Sequence, residues 1–176
     1  PPHIKLAVNL SPLQFRKGDI VGAVSDALLR YGLAPERLEL EITESVLLQK
    51  DDATLAKLHE LKSLGASIVL DDFGTGYSSL SYLQAFPFDK IKIDQSFIAG
   101  IAQRSDCAAI VCAVTGLAKS LNVMTTAEGI ETVEQFELLR AAGCDQAQGF
   151  LFGRPCPVSE IQFDLDWDPR RKETAA

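Results

Sequence analysis

The chain has 176 residues, 47% of them hydrophobic and 23% charged, which fits one folded domain with a sizeable core and excludes a disordered chain. A net charge of -7 excludes the broad basic surface that duplex nucleic acid requires, so a phosphate substrate needs a metal or an isolated Lys or Arg. No apolar run approaches the roughly 18–20 residues of a membrane span, and the opening Pro-Pro-His-Ile-Lys lacks a signal-peptide pattern; the expected location is the cytoplasm, with no membrane contact by this segment.

Strand-like and helix-like segments alternate along the chain. Ile4 to Val8 reads as a strand, and Asp19 to Tyr31 as a helix closed by Gly32. Leu38 to Ile42 alternates apolar and acidic residues, and Ala53 to Leu64 carries Leu55, Leu58, Leu61 and Leu64 at helical spacing before Gly65. Ser67 to Leu70 is a short apolar strand, Ser78 to Gln84 a helix, and Lys90 to Ile93 a strand. A helix over Asp106 to Leu121, a strand at Val123 to Thr126, a helix over Val133 to Ala142 and a strand at Asp145 to Ala147 complete the series. Beyond Pro157 the chain turns polar, with a surface helix and frayed tail expected from Asp166. Cys107 and Cys112 fall in an apolar helical stretch and read as small buried hydrophobes; the four cysteines lack CxxC spacing. His3 and His59 stand alone.

This alternation predicts a parallel sheet covered by helices. An open doubly wound sheet would show a GxGxxG turn after its first strand, where this chain has Leu10-Ser11-Pro12. The expectation is an α/β fold, a TIM-like (β/α) barrel, whose functional residues gather at the C-terminal rim of many strands. Each strand end here carries polar groups: Asn9, Glu41, Asp71-Asp72, Lys92 with Asp94, Glu128 and Gln148. Four carboxylates drawn together repel one another and raise their pKa values unless a cation intervenes. Hard divalent cations such as Mg²⁺ or Mn²⁺ take oxygen ligands of this kind. Two such ions can clamp the attacking and leaving oxygens of an in-line displacement at phosphorus, with Lys92 orienting a water or stabilising developing charge. The competing readings are ordinary ones. Asn9 and Ser11 serve as turn formers before Pro12, and Asp71-Asp72 as a capping turn. Glu39 and Lys90 are read as solvent-facing. Gly74-Thr75-Gly76 lacks the GK[ST] ending of a P-loop. Arg154 and Pro155 follow the last strand, where a substrate phosphate or base could be met.

The segments VNLSPLQF, LELEITES, LDDFGTGYSSL, FDKIKIDQSFI, TAEGIET and GCDQAQGFLFGRP resemble, in order and from Val8 to Pro155, the motifs of the EAL-domain cyclic-di-GMP phosphodiesterases. The resemblance implies a bacterial signalling enzyme that opens cyclic di-GMP to linear pGpG with Mg²⁺ or Mn²⁺, two ions being expected. By motif position Asn9, Glu41, Asp71 and Asp72 match metal ligands, and Lys92 matches the lysine that positions the hydrolytic water. Glu128 and Gln148 match further groups at the reacting centre. Gln14, Arg154 and Pro155 fall at substrate-binding positions, and Glu44 matches a glutamate that stabilises the loop after Asp71-Asp72. That loop, Asp72 to Ser79, resembles a regulatory loop coupled to a homodimer.

The Glu-Ala-Leu segment that names the family belongs upstream of Asn9, and a complete barrel takes about 250 residues and eight strands. The expectation is therefore an incomplete barrel lacking its first strands. Residues 1–165 are read as the C-terminal portion with about six β/α units, and 166–176 as a polar tail. Sensory or GGDEF-type domains are expected further upstream in the parent protein. The rivals are a catalytically inactive cyclic-di-GMP receptor and an aldolase using Lys92 as a Schiff-base nucleophile; the latter conflicts with carboxylates that would raise a lysine's pKa.

Overall fold

Six parallel strands lie side by side in chain order. A computed structural model describes residues 4–47, 52–74 and 86–161. The strands are β1 (Leu6–Leu10), β2 (Leu38–Thr43), β3 (Ser67–Phe73), β4 (Lys90–Ile93), β5 (Met124–Ala127) and β6 (Gln146–Ala147). Helices α1 (Pro12–Lys17) and α2 (Ile20–Tyr31) follow β1, and α3 (Glu44–Leu47) and α4 (Asp52–Ser63) follow β2. Helices α5 (Gln95–Ala99) and α6 (Ser105–Leu121) follow β4, and α7 (Val133–Ala141) follows β5. Parallel strands in sequential order with intervening helices form the partial TIM-like barrel expected from the alternation.

Local chemistry sets most boundaries. Asp19 caps α2 by accepting from Gly22 N at 2.9 Å, and Gly32 ends it in the left-handed region. Thr132 and Gln135 form a reciprocal capping box at α7. The short helices α1, α3 and α5 were not expected, because four to six residues are too few for a 3.6-residue period to register. β1 starts and ends two residues later than its apolar pattern indicated, and β3 continues through Asp71-Asp72. The expected helix at 78–84, the polar tail and the 165/166 boundary lie outside the described residues.

Alternation along the strands divides two environments. One face of the sheet meets the helices through Leu40, Ile42, Ile68, Leu70, Ile91 and Ile93, each no more than 1% exposed. Complete burial of such a side chain contributes about 1.5–3 kcal/mol. The other face, inside the arc, carries Glu39, Glu41, Lys90 and Lys92, and all four are buried. The solvent-facing reading of Glu39 and Lys90 is thus corrected. A two-residue period puts them on the same side as Glu41 and Lys92, and in a barrel that side is the interior.

Cys107 is buried as expected, whereas Cys112 is exposed. Five residues along a helix turn the side chain by roughly 140°, away from the packed face. Among the described residues no helix is long and apolar enough to cross a membrane.

Candidate active site

Lys92 stands at the centre of a buried charge cluster. Its Nζ lies 3.0 Å from Glu41 Oε1, 3.1 Å from Asp71 Oδ1 and 2.6 Å from Glu128 Oε1. These carboxylates come from β2, β3 and the residue just after β5, so three segments converge on the ammonium that β4 supplies. The pairing is diagonal. Backbone register sets Glu41 opposite Val69 and Val69 opposite Lys90, yet Glu41 meets Lys92 and Glu39 meets Lys90. A shift of about one residue per strand is the stagger of a barrel with shear 8 over eight strands. The barrel therefore stacks two charged layers, one with Glu39 and Lys90 and one above it with Glu41 and Lys92.

An irregularity in β3 brings two neighbouring acids to the same place. Register with β4 shifts between Leu70 and Phe73, and Asp72 takes a left-handed backbone at φ 55°. Regular pleating would send Asp71 and Asp72 to opposite faces. Instead, carboxylate oxygens of Asp71, Asp72 and Glu128 lie within 4.8 Å of one another. Asp72 is the more exposed of the pair, and its N–H donates to Asp71 Oδ1 at 3.1 Å.

The titration behaviour follows from this crowding. Burial raises the Asp72 carboxyl above the usual range, and the charges of Asp71 and Asp94 raise it further. Glu128 is also raised, first by burial; its bond to Lys92 pulls the other way but is outweighed with the help of Asp71 and Glu41. Burial works to lower the Lys92 pKa, but hydrogen bonding and charge from Glu128, then Glu41 and Asp71, carry it above its ordinary value. Lys92 is thus a fixed cation and hydrogen-bond donor. A Schiff-base nucleophile must shed its proton, which this setting opposes.

A divalent cation fits the donor set. Three converging carboxylates, two of them with pKa values raised by burial and then by neighbouring acids, offer the hard oxygens such an ion takes and the charge it would neutralise.

The remaining expected residues divide by position. Asn9 is registered beside Glu41 on β1 and is exposed at the rim. Gln148 borders both the barrel cavity of about 560 Å³ with Glu41 and Lys92, and a pocket of about 260 Å³ with Asp72 and Glu128. It is fixed by extension of the β5–β6 ladder, its N–H donating to Ala127 O at 2.8 Å and its carbonyl accepting from Ile130 N at 3.1 Å. A Cβ on Gly149 would collide with the Ile130 backbone nitrogen and oxygen, so glycine is what lets the segments after β5 and β6 close together.

Glu44 is buried at the start of α3, and its Oε1 accepts from Gly74 N at 2.9 Å, tying the end of β3 to β2. The loop beyond Gly74 lies outside the described residues. Gln14 belongs to the capping box of α1, its Oε1 accepting from Ser11 N at 2.7 Å. Arg154 lies over the Phe150 ring at 4.4 Å and borders, with Pro155, a neighbouring hollow of about 610 Å³. Sequence reasoning assigned no site role to Asp94, Gln95 or Glu131, which share the smaller pocket with Asp72 and Glu128. Asp94 was legible as a strand-end acid, and it also caps α5 by accepting from Ser96 N at 2.9 Å.

The EAL domain family model matches residues 1–155. MucR of Pseudomonas aeruginosa, described as a bifunctional diguanylate cyclase/cyclic di-GMP phosphodiesterase, is 49% identical over 89% of this chain and 23% of its own length. NbdA of the same organism, described as a cyclic di-GMP phosphodiesterase, is 40% identical over 91% of this chain and 20% of its own. The chain thus spans about a fifth of the length of these curated relatives. Among solved structures, the MucR phosphodiesterase in complex with c-di-GMP superposes with a TM-score of 0.85 at 49% identity, covering 89% of this chain and 63% of that one. A manganese and cyclic di-GMP complex of Klebsiella pneumoniae BlrP1 gives 0.80 at 38% identity, covering 86% of this chain and 39% of that one. The family match over residues 1–155, with this fold and this ring of strand-end acids, makes the chain a member of the EAL domain family.

Proposed function

We propose that this chain forms the catalytic rim of a cyclic di-GMP phosphodiesterase that yields linear pGpG with Mg²⁺ or Mn²⁺. The observation that carries the reading is the buried Lys92 ammonium held by Glu41, Asp71 and Glu128 beside the convergent oxygens of Asp71, Asp72 and Glu128. In this reading Asn9, Glu41, Asp71, Asp72 and Glu128 hold two divalent ions. Such ions neutralise phosphate charge and lower the pKa of water.

The protein's own groups do the rest. Lys92 stays protonated, so it donates hydrogen bonds that orient the water and stabilise charge on phosphorus, and it does not serve as the base. Gln148, at the junction of the two cavities, orients the same water or a phosphate oxygen through its amide. Hydrolysis adds the water oxygen to phosphorus and breaks one phosphorus–ribose oxygen bond, and the departing oxygen gains a proton. Arg154 supplies positive charge and, with Phe150, a flat surface for a phosphate or a base, with Pro155 at its edge. Gln14, on α1 after the first strand, is assigned to substrate binding by its motif position. Glu44 keeps the start of the loop after Asp72 in place through Gly74. The reading sets the chain within a longer, dimeric cytoplasmic signalling protein; the greater length of its relatives supports the further domains, sensory or GGDEF-type.

The test is incubation of the full-length protein with cyclic di-GMP and Mg²⁺ or Mn²⁺, with chromatographic detection of pGpG. Binding of the nucleotide without any pGpG would replace this reading with a receptor.

A further inference from the structure

The layer beneath the reacting centre is not what a barrel interior ordinarily contains. Interior layers are filled mainly by branched apolar side chains, yet here Glu39 accepts from Lys90 through both oxygens, at 2.7 and 2.8 Å, and from Lys5 at 2.9 Å. Glu39 and Lys90 are both less than a tenth exposed. The Glu39 carboxyl is lowered: burial acts to raise it, and the hydrogen bonds of Lys90 and Lys5 prevail. Buried ion pairs of this kind are poor sources of stability, since apolar residues of similar volume often replace them without loss.

The register gives the pair another use. Lys90 is level, through Val69, with Glu41. An ammonium buried there has two carboxylates within reach of its strand position, one in each layer. We propose that Glu39 is a positioning residue: by gripping Lys90 with both oxygens it keeps that ammonium in the lower layer and leaves Glu41 to Lys92 and to a divalent cation. Lys5, whose side chain is 42% exposed, can turn to water when Glu39 is lost. Lys90, only 8% exposed and on the same cavity wall as Glu41, takes that carboxylate instead.

The inference rests on the metal-bearing reading above. The experiment measures Mn²⁺ binding to the full-length protein by electron paramagnetic resonance of the free ion, alongside pGpG formation. Glu39→Gln is expected to weaken Mn²⁺ binding about tenfold, because the freed ammonium competes for a ligand. Adding Lys90→Met to that variant removes the competitor and is expected to restore affinity to within about twofold, while Glu39→Asp keeps a charged grip and loses no more than about threefold. Should Glu39→Gln fail to fold, Glu39→Met and Glu39→Met/Lys90→Met take its place, with the same loss and recovery expected. Unchanged affinity in the variants that remove the Glu39 charge, or weakening that Lys90→Met leaves in place, overturns the proposal. Absence of Mn²⁺ binding by the wild-type protein instead overturns the metal-bearing reading itself.

Discussion

Replacing Lys92 with Met separates the two tasks of its ammonium, holding the carboxylates together and serving the reaction. The substitution nearly keeps the volume of the side chain, one atom shorter, but leaves Glu41, Asp71 and Glu128 without their shared cation. Breaking a buried pair on one side costs about 3–5 kcal/mol. Because the Glu128 side chain is 20% exposed and can turn to water, the low end applies, about 3 kcal/mol. For a domain of this size that lowers the melting temperature by about 6–12 °C in the absence of divalent metal. A cation bound among the same carboxylates replaces the lost charge and no longer meets a neighbouring ammonium. Repulsion between unit charges about 4 Å apart is roughly 4 kcal/mol at an effective dielectric of 20, so Mn²⁺ affinity rises at least tenfold.

The assay is differential scanning calorimetry of the full-length wild type and variant, with chelator and with Mn²⁺, beside the pGpG assay. The variant should recover most of its lost stability with Mn²⁺ while its turnover stays down by about 10²–10³-fold, the usual cost of removing one transition-state donor. An equal thermal deficit with and without Mn²⁺, or turnover near wild type, would refute this account of Lys92.

Gly149→Ala places a Cβ against the Ile130 backbone, which has no rotamer to yield; a destabilisation of about 3 kcal/mol is expected from urea unfolding, with turnover falling as Gln148 is displaced. Glu44→Ala removes the acceptor of Gly74 N, so about 2 kcal/mol of local hydrogen bonding is lost. Amide exchange at Gly74 should accelerate and turnover should drop several-fold. The Glu39 carboxyl, lowered in the folded chain from an ordinary value of 4.5, contributes stability that is fully present above that pH and is lost as pH falls through the lowered value. Glu39→Leu/Lys90→Met should therefore flatten the decline in melting temperature on acidification below about pH 4.5.

Much of the site was written at the strand ends, because a parallel barrel sends those ends to one rim whatever the details of its loops. That is why Glu41, Asp71, Lys92 and Glu128 could be grouped before any coordinates, and why they meet. The reading of Glu39 and Lys90 failed for a related reason. Alternation assigns residues to two faces but does not say which face is wet, and in a closed or nearly closed sheet the polar face can be the buried one. The Ser11–Gln14 box shows a different kind of loss: Ser-Pro-Leu-Gln is a helix start in plain residues, but the helix it opens is only six residues long and offered no periodicity to confirm it. Asp71 and Asp72 were expected at one site, but the backbone irregularity that brings these neighbours together was not legible, for a third reason. It depends on a shift in pairing with β4, and such a shift is set by tertiary closure and not by local preference.

That left-handed aspartate has a consequence for how such a protein can change over time. A non-glycine residue at φ 55° costs about 1 kcal/mol, and the charges of Asp71 and Asp94 add to the burden. Asparagine tolerates the same backbone and carries no charge, so Asp72→Asn is expected to relieve the repulsion from Asp71 and Asp94 while exchanging a charged carboxylate ligand for a neutral amide oxygen. Selection for thermal robustness alone would find this position early and leave a sturdier protein with a blunted site. An aspartate at 72 therefore sets folding against chemistry, the backbone and the neighbouring acids favouring a neutral residue and a bound cation favouring a charged one.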